Sequence, residues 1–169
     1  MKIEKVAIVG RGALGILYGA HFTEKLGKQA VSFVAGEDRI ERYMSSQPVC
    51  NGRACDFSYI SEKNEGNPAD LVIFAVKSTK LEEALKTAKN VIGKDTVIIS
   101  VLNGISSEKI IASEYGSERI IHCVAQGMDA VKLGEELTYS KMGELIVGTP
   151  EAEKEKLERL DALCSFFEQ

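Results

Sequence analysis

The chain has 169 residues, a formal net charge of −4, and 44% hydrophobic and 27% charged residues. That is the make-up of a folded globular protein, read here as one domain over residues 1–169. The acidic balance excludes the basic field that nucleic acid or an anionic membrane requires, and no apolar run approaches the ~20 residues of a membrane-spanning helix.

Met1 to Lys5 leads almost at once into a strand, Lys5–Val9, which leaves no room for a leader peptide and makes a cytoplasmic location the expectation. Gly10-Arg11-Gly12-Ala13-Leu14-Gly15 follows directly, a G-x-G-x-x-G that opens a helix over Ala13–Leu26, with Gly27 as its stop. Each glycine has a mechanical reason. The first permits a tight turn, the second lets backbone approach a pyrophosphate, and the third lets helix and strand pack closely. The helix start also points unpaired N–H groups and the positive end of its dipole at that position.

Ala30–Val34 reads as a second strand and Asp38 to Met44 as a short helix. Pro48 to Ile60 alternates loosely about Asn51-Gly52, a strong hairpin signal. Gly66-Asn67-Pro68 is loop. Leu71–Val76 is a continuous apolar run, as expected for a parallel strand covered on both faces. A helix over Thr79–Val91, a strand over Thr96–Val101, a helix capped by Ser106 or Ser107 and running to Tyr115, and a strand over Arg119–Ala125 continue the alternation. Glu135–Tyr139 and Glu144–Gly148 then read as two short strands, antiparallel partners at one edge. The last helix is expected to open with Thr149 as N-cap, Pro150 at the first position, and Glu151 and Glu153 in the first turn, with Leu157, Leu160, Leu163 and Phe167 as its apolar face. The pattern predicts an α/β fold: Rossmann-like, doubly wound and mostly parallel, with antiparallel edge strands.

Cys50, Cys55, Cys123 and Cys164 form no C-x-x-C and read as reduced thiols, with no metal or disulfide role expected. His21 and His122 read as structural. The second strand ends Phe33-Val34-Ala35-Gly36, with no acid where an NAD-selecting fold holds the ribose 2′-hydroxyl. Arg39 and Arg42 follow, so NADP(H) is the expected cofactor, against the counter-signal of Glu37. Lys77 and Asn103 come directly after apolar strands, where open α/β sheets bind ligands.

The set Gly10 to Gly15, Val76-Lys77-Ser78 and Leu102-Asn103-Gly104 resembles the N-terminal domain of the ketopantoate reductases (2-dehydropantoate 2-reductases). Gly143 to Gly148 resembles that family's edge strand, and the resemblance spans nearly the whole chain. It implies that Gly10, Arg11, Gly12, Ala13, Leu14 and Gly15 form an NADP-binding loop. It also implies that Lys77 contacts the cofactor and that Asn103 lies beside both the nicotinamide ribose and the substrate. The family's arginine after strand two, which meets the 2′-phosphate, finds its counterpart in Arg39, although Ala35-Gly36-Glu37-Asp38 departs from the family pattern. Met128-Asp129-Ala130 corresponds loosely to a further cofactor contact. The activity implied is NADPH-dependent reduction of 2-dehydropantoate to pantoate in pantothenate biosynthesis, on a small 2-oxoacid, with the full-length protein a candidate homodimer. The family's helical C-terminal domain, which carries the lysine proton donor, has no counterpart in this sequence. No catalytic proton donor is therefore expected in this chain, and little turnover by it alone. Two alternatives stay open: a dehydrogenase of another hydroxyacid or a sugar phosphate, and a non-catalytic dinucleotide sensor.

Overall fold

The computed structural model describes residues 1–64, 66, 68–150 and 153–168. In chain order the elements are β1 (Val6–Val9), α1 (Ala13–Leu26), β2 (Val31–Ala35), α2 (Glu37–Met44), β3 (Val49–Cys50), β4 (Arg53–Ala54), β5 (Ser58–Ser61), β6 (Leu71–Phe74), α3 (Leu81–Ala88), β7 (Val97–Ser100), α4 (Ser107–Tyr115), β8 (His122–Gln126), β9 (Val131–Leu133), β10 (Glu136–Thr138), β11 (Glu144–Gly148) and α5 (Lys154–Phe167).

Successive side chains of β1 enter two different cores. Val6 and Ile8 pack with Ile16 and Leu17 of α1 and with Leu163 and Phe166 of α5. Ala7 and Val9 pack with Leu81 and Ala84 of α3 and Ile111 of α4. Burial on both faces explains why these strands read as unbroken apolar runs. The main sheet is wholly parallel in the order β5-β2-β1-β6-β7. The chain leaves β1 for β2 on one side and later returns to β6 on the other, so the strand order reverses beside β1. The sheet continues past β7 through a parallel bridge between Ile98 and Ile120, after which β8 pairs antiparallel with β11.

The doubly wound, mostly parallel architecture agrees with expectation, and several details differ. Asn51 and Gly52 form the expected hairpin turn between β3 and β4, both with positive φ (48° and 76°), as a type I′ turn requires. Ser58–Ser61, however, leaves that hairpin and joins the main sheet beside β2. The strand predicted over Glu135–Tyr139 does not extend the sheet edge. Its core, β10, enters a separate four-stranded sheet ordered β4-β3-β10-β9, because Leu137 is drawn fully into the α1-side core. Only β11 supplies an antiparallel edge partner to β8. The last helix begins at Lys154, with Glu153 at its cap position, and not at Thr149-Pro150. Glu151 and Asn67 lie outside the described residues. The helix predicted over Thr79–Val91 is α-helical only across α3, with 3₁₀ turns at Ser78–Lys80 and Lys89–Val91. Ser106 takes the cap position of α4, while Ser107 is buried and accepts a hydrogen bond from Ser100 Oγ at 2.9 Å. His122 points outward from β8 and is exposed, so it has no structural role in the core.

Arg11 ties these parts together from inside the glycine loop. Its side chain is only 3% exposed. Nη1 donates to the carbonyls of Tyr43 (2.9 Å) and Ser46 (3.1 Å) and to Tyr59 Oη (2.9 Å). Nη2 donates to Ser46 Oγ at 2.8 Å and Glu135 Oε2 at 2.9 Å. The guanidinium also lies 4.0 Å from the centre of the Tyr43 ring, within range for a cation–π contact. One side chain thus fixes the end of α2, the edge strand β5 and the β9–β10 turn against the loop.

At the other end of that small sheet, Asp129 accepts hydrogen bonds from the Ser140 amide (2.8 Å), the Lys141 amide (2.7 Å) and the Ser140 hydroxyl. These bonds, the Ser140 hydroxyl first, hold its carboxyl down at about 2. The Asp129 carboxylate thus braces the turn at Ser140-Lys141.

Two outcomes follow. Arg11→Met should lower the unfolding free energy by about 2–3 kcal/mol, since it strips two carbonyls and two hydroxyls of a buried donor; the half-exposed Glu135 adds little. Denaturant titration checks this, and a loss near zero would contradict it. For Asp129, whose folded-state pKa is depressed, the bracing is fully present above the ordinary value of 3.8 and is lost as pH falls toward about 2. The Ser140 and Lys141 amide resonances should move through that window, and Asp129→Asn should abolish the movement.

Candidate functional site

The register of the parallel sheet assembles the site. Val9, Val34 and Phe74 are paired across β1, β2 and β6, and Phe74 is paired with Ser100 of β7. Gly12, Glu37, Lys77 and Asn103 each stand three residues beyond one of these four, so they leave the same end of the sheet together. That end is the carboxyl end, beside the point where strand order reverses, the place open α/β sheets use for ligands.

The glycines divide into two kinds. Gly10 has φ 110°, and a Cβ there would lie 2.6 Å from the Ala75 carbonyl oxygen. A Cβ on Gly15 would lie 2.0 Å from the Gly10 carbonyl oxygen. Both are required by the protein's own packing. Gly12 differs: its φ is −81°, and a Cβ there would meet nothing nearer than 3.7 Å. The fold does not need glycine at this position. Gly12 caps α1 without any side-chain bond, and the first turn of that helix has no acidic residue. Helix geometry leaves its opening N–H groups without intrahelical partners, aimed outward.

Above the loop lies a cleft of about 680 Å³. Gly10, Arg11, Gly12, Ala13, Leu14, Arg39, Lys77 and Asn103 all line it. Gly15 alone of the predicted site residues does not, because it is buried below, against Gly10. Arg11 offers the cleft only its backbone and stem, since its guanidinium is engaged by protein partners. Lys77 and Asn103 are exposed on the side of the cleft formed by the ends of β6 and β7.

On the β2 side the charges are sorted. Glu37 is paired with Lys63 at 2.6 Å. Arg39 Nη2 lies 2.7 Å from Glu83 Oε1, and Lys80 Nζ lies 3.1 Å from Glu83 Oε2. The Lys80 hydrogen bond, reinforced by Arg39, holds Glu83 below the usual carboxylate range. Glu62 reaches in from the end of β5, with one oxygen 3.4 Å from where a Gly36 Cβ would stand. Sequence reading missed Lys80, Glu83 and Glu62. Their neighbours in space come from other elements, and nothing local marks them. Arg42 bonds its own helix through the Asp38 carbonyl and is exposed.

The groups outside this cleft are chemically quiet. Burial pushes the thiols of Cys55 and Cys123 up to about 11 and about 12, and all four cysteines are free. Burial, then Lys25, lowers the pKa of His21, which stacks edge-on against Phe22. A second cavity of about 460 Å³ lies between α1 and α5, walled by Phe22, Leu145 and Phe166, and holds none of the predicted residues. Among the described residues no group of three or more His, Cys, Asp or Glu is placed to hold a metal ion, and no helix is long and apolar enough to cross a membrane. The cleft's own chemistry is backbone amides, an amide side chain and cations, which suits an extended anionic ligand.

Known proteins agree with this picture. The chain is 30% identical to the 2-dehydropantoate 2-reductase of Aquifex aeolicus (strain VF5) over 154 residues, covering 88% of this chain and 47% of that protein. It is 28% identical over 109 residues to the enzyme of the same name from Streptococcus pyogenes serotype M1, covering 63% of this chain and 35% of the other. The chain thus spans about half the length, or less, of the curated relatives it matches. Among solved structures, the 2-dehydropantoate 2-reductase from Geobacter metallireducens GS-15 superimposes with a TM-score of 0.76 at 24% identity, covering 97% of this chain and 55% of that one. A D-mandelate dehydrogenase solved with NADH and anilino(oxo)acetate superimposes with a TM-score of 0.73 at 22% identity, covering 94% and 54%. These structures share the fold. The family model for ketopantoate reductase PanE/ApbA matches residues 6–151, most of the chain, and by that match this protein belongs to the ketopantoate reductase family.

Proposed function

We propose that this chain is the dinucleotide-binding domain of an NADPH-dependent 2-dehydropantoate 2-reductase. The observation that carries the reading is the empty space over Gly12. Glycine is used where the fold would accept a side chain, at the start of an uncapped helix and on the floor of a cleft with cations on its walls. A diphosphate needs that space and those amides.

In this reading the amides of Gly12 to Leu14 hold the diphosphate, Arg39 meets the adenosine 2′-phosphate, and Lys77 and Asn103 position the nicotinamide ribose. Asn103 also holds a substrate oxygen. The bound nicotinamide would supply hydride to the ketone carbon of 2-dehydropantoate. As that carbon is reduced, its oxygen gains negative charge and must be stabilised and protonated. Asn103 is suited to orient the oxygen, because an amide N–H donates without needing to titrate. Lys77 suits a cofactor contact better than proton donation. The lysine that protonates the product belongs, by this reading, to the half of the family's length that this chain does not span. Turnover therefore requires that half, and a cytoplasmic reductase working as a homodimer is the full-length form consistent with it.

A second reading, NADH as the cofactor, is favoured by one feature. Glu62 puts a carboxylate beside Gly36, near where NAD-selecting folds hold the ribose 2′-hydroxyl.

Fluorescence titration of the chain with NADPH and NADH separates the two. A charge-assisted bond to the 2′-phosphate, about 1.5–3 kcal/mol, should favour NADPH by about ten- to a hundredfold, and equal or tighter binding of NADH would favour the Glu62 reading. Gly12→Val should keep the thermal midpoint within a few degrees, because its Cβ meets no protein atom closely. It should weaken both nucleotides by at least about tenfold through collision with the diphosphate. Unchanged affinity in a folded sample would remove the basis of the assignment.

A further inference from the structure

Beside the glycine loop is a narrow recess lined by Gly10, Gly36, Arg39, Lys80 and Glu83, at the carboxyl ends of β1 and β2. In a dinucleotide fold this is where the adenosine ribose lies. In this chain a carboxylate already stands there between two cations. The two oxygens of Glu83 are divided, one to Arg39 of α2 at 2.7 Å and the other to Lys80, just before α3, at 3.1 Å. Of the other acids nearby, Glu37 is paired with Lys63, and Glu62 sits on the β5 side of Gly36.

We propose that Arg39 and Lys80 together form a phosphomonoester subsite, and that Glu83 is its built-in competitor, occupying the position of the 2′-phosphate until NADPH displaces it. The proposal deepens the NADPH reading and rests on it. A phosphomonoester carries about −1.5 to −2 charges and three acceptor oxygens, enough to engage both cations at once. A single carboxylate engages them with one oxygen each and half the charge. The Glu83 side chain is 51% exposed, and Arg39 and Lys80 are 34% and 58% exposed. Ion pairs this open to water are individually weak, so the carboxylate can leave when a stronger anion arrives. The price of its presence is paid only by the 2′-phosphorylated nucleotide, since NADH has nothing to exchange for it. Lys80 becomes a specificity-determining residue, and Glu83 sets how far NADPH is preferred.

The alternative is an ion-pair tie that merely joins α2 to α3, and the two differ in sign. Dissociation constants for NADPH, NADH, 2′,5′-ADP and 5′-AMP would be measured on the full 169-residue chain and on Glu83→Gln, Lys80→Met and Arg39→Met. Thermal midpoints would confirm folding. Glu83→Gln should tighten NADPH and 2′,5′-ADP about three- to tenfold and leave NADH and 5′-AMP within about twofold. Lys80→Met, a change at an exposed side chain, should weaken the same two ligands by a similar factor and spare the other two. Arg39→Met should do so more strongly. If Glu83→Gln leaves NADPH unchanged or weakens it, or tightens NADH equally, the competitor is disproved while the cofactor assignment stands. If the unmodified chain binds none of the four, both fall together.

Discussion

The site depends on the tight packing of backbone stretches at the end of β1. Gly10 passes so near the Ala75 carbonyl, and Gly15 so near the Gly10 carbonyl, that neither position has room for a methyl group. This contact fixes the start of α1 against the ends of β1 and β6. Everything else in the site is placed relative to it. The helix opening faces the cleft because the loop cannot relax, and Lys77 lies beside it because the strand that ends at Phe74 is the one against which Gly10 packs.

Arg11 makes the same loop a structural hub. The chain carries an arginine at this position and buries its side chain. That side chain orders the far end of α2, the helix that bears Arg39, and joins the small sheet through Glu135. Loop geometry and the placement of α2 are thereby coupled through one guanidinium, whose planar fork can reach several carbonyls and hydroxyls together.

Much of the fold was legible because its signals are local. Unbroken apolar runs at Val6–Val9 and Leu71–Phe74 mark strands buried on both faces, and Asn51-Gly52 marks a turn with two positive φ values. The gathering of Gly12, Lys77 and Asn103 was also readable, since each follows an apolar strand by the same short distance. What sequence could not give were pairings across long separations. Ser58–Ser61 is too polar to announce a strand in the main sheet, and β10 leaves the expected edge only because Leu137 finds a place in the α1-side core. The start of α5 was misplaced because Thr149-Pro150 has the residue types of a helix opening, whereas the helix begins at Lys154 with Glu153 at its cap position.

The amino-acid order alone determined the parallel α/β plan and the glycine loop that opens α1, because hydrophobic period and glycine position act within a few residues. Only the folded chain decided how charges are shared around the cleft. The Arg11 guanidinium is a buried tie; Glu37 is paired with Lys63; Glu83 gave no sign and stands between Arg39 and Lys80. Partners in an ion pair are chosen by distance in space, and that distance exists only once the sheet has brought its ends together.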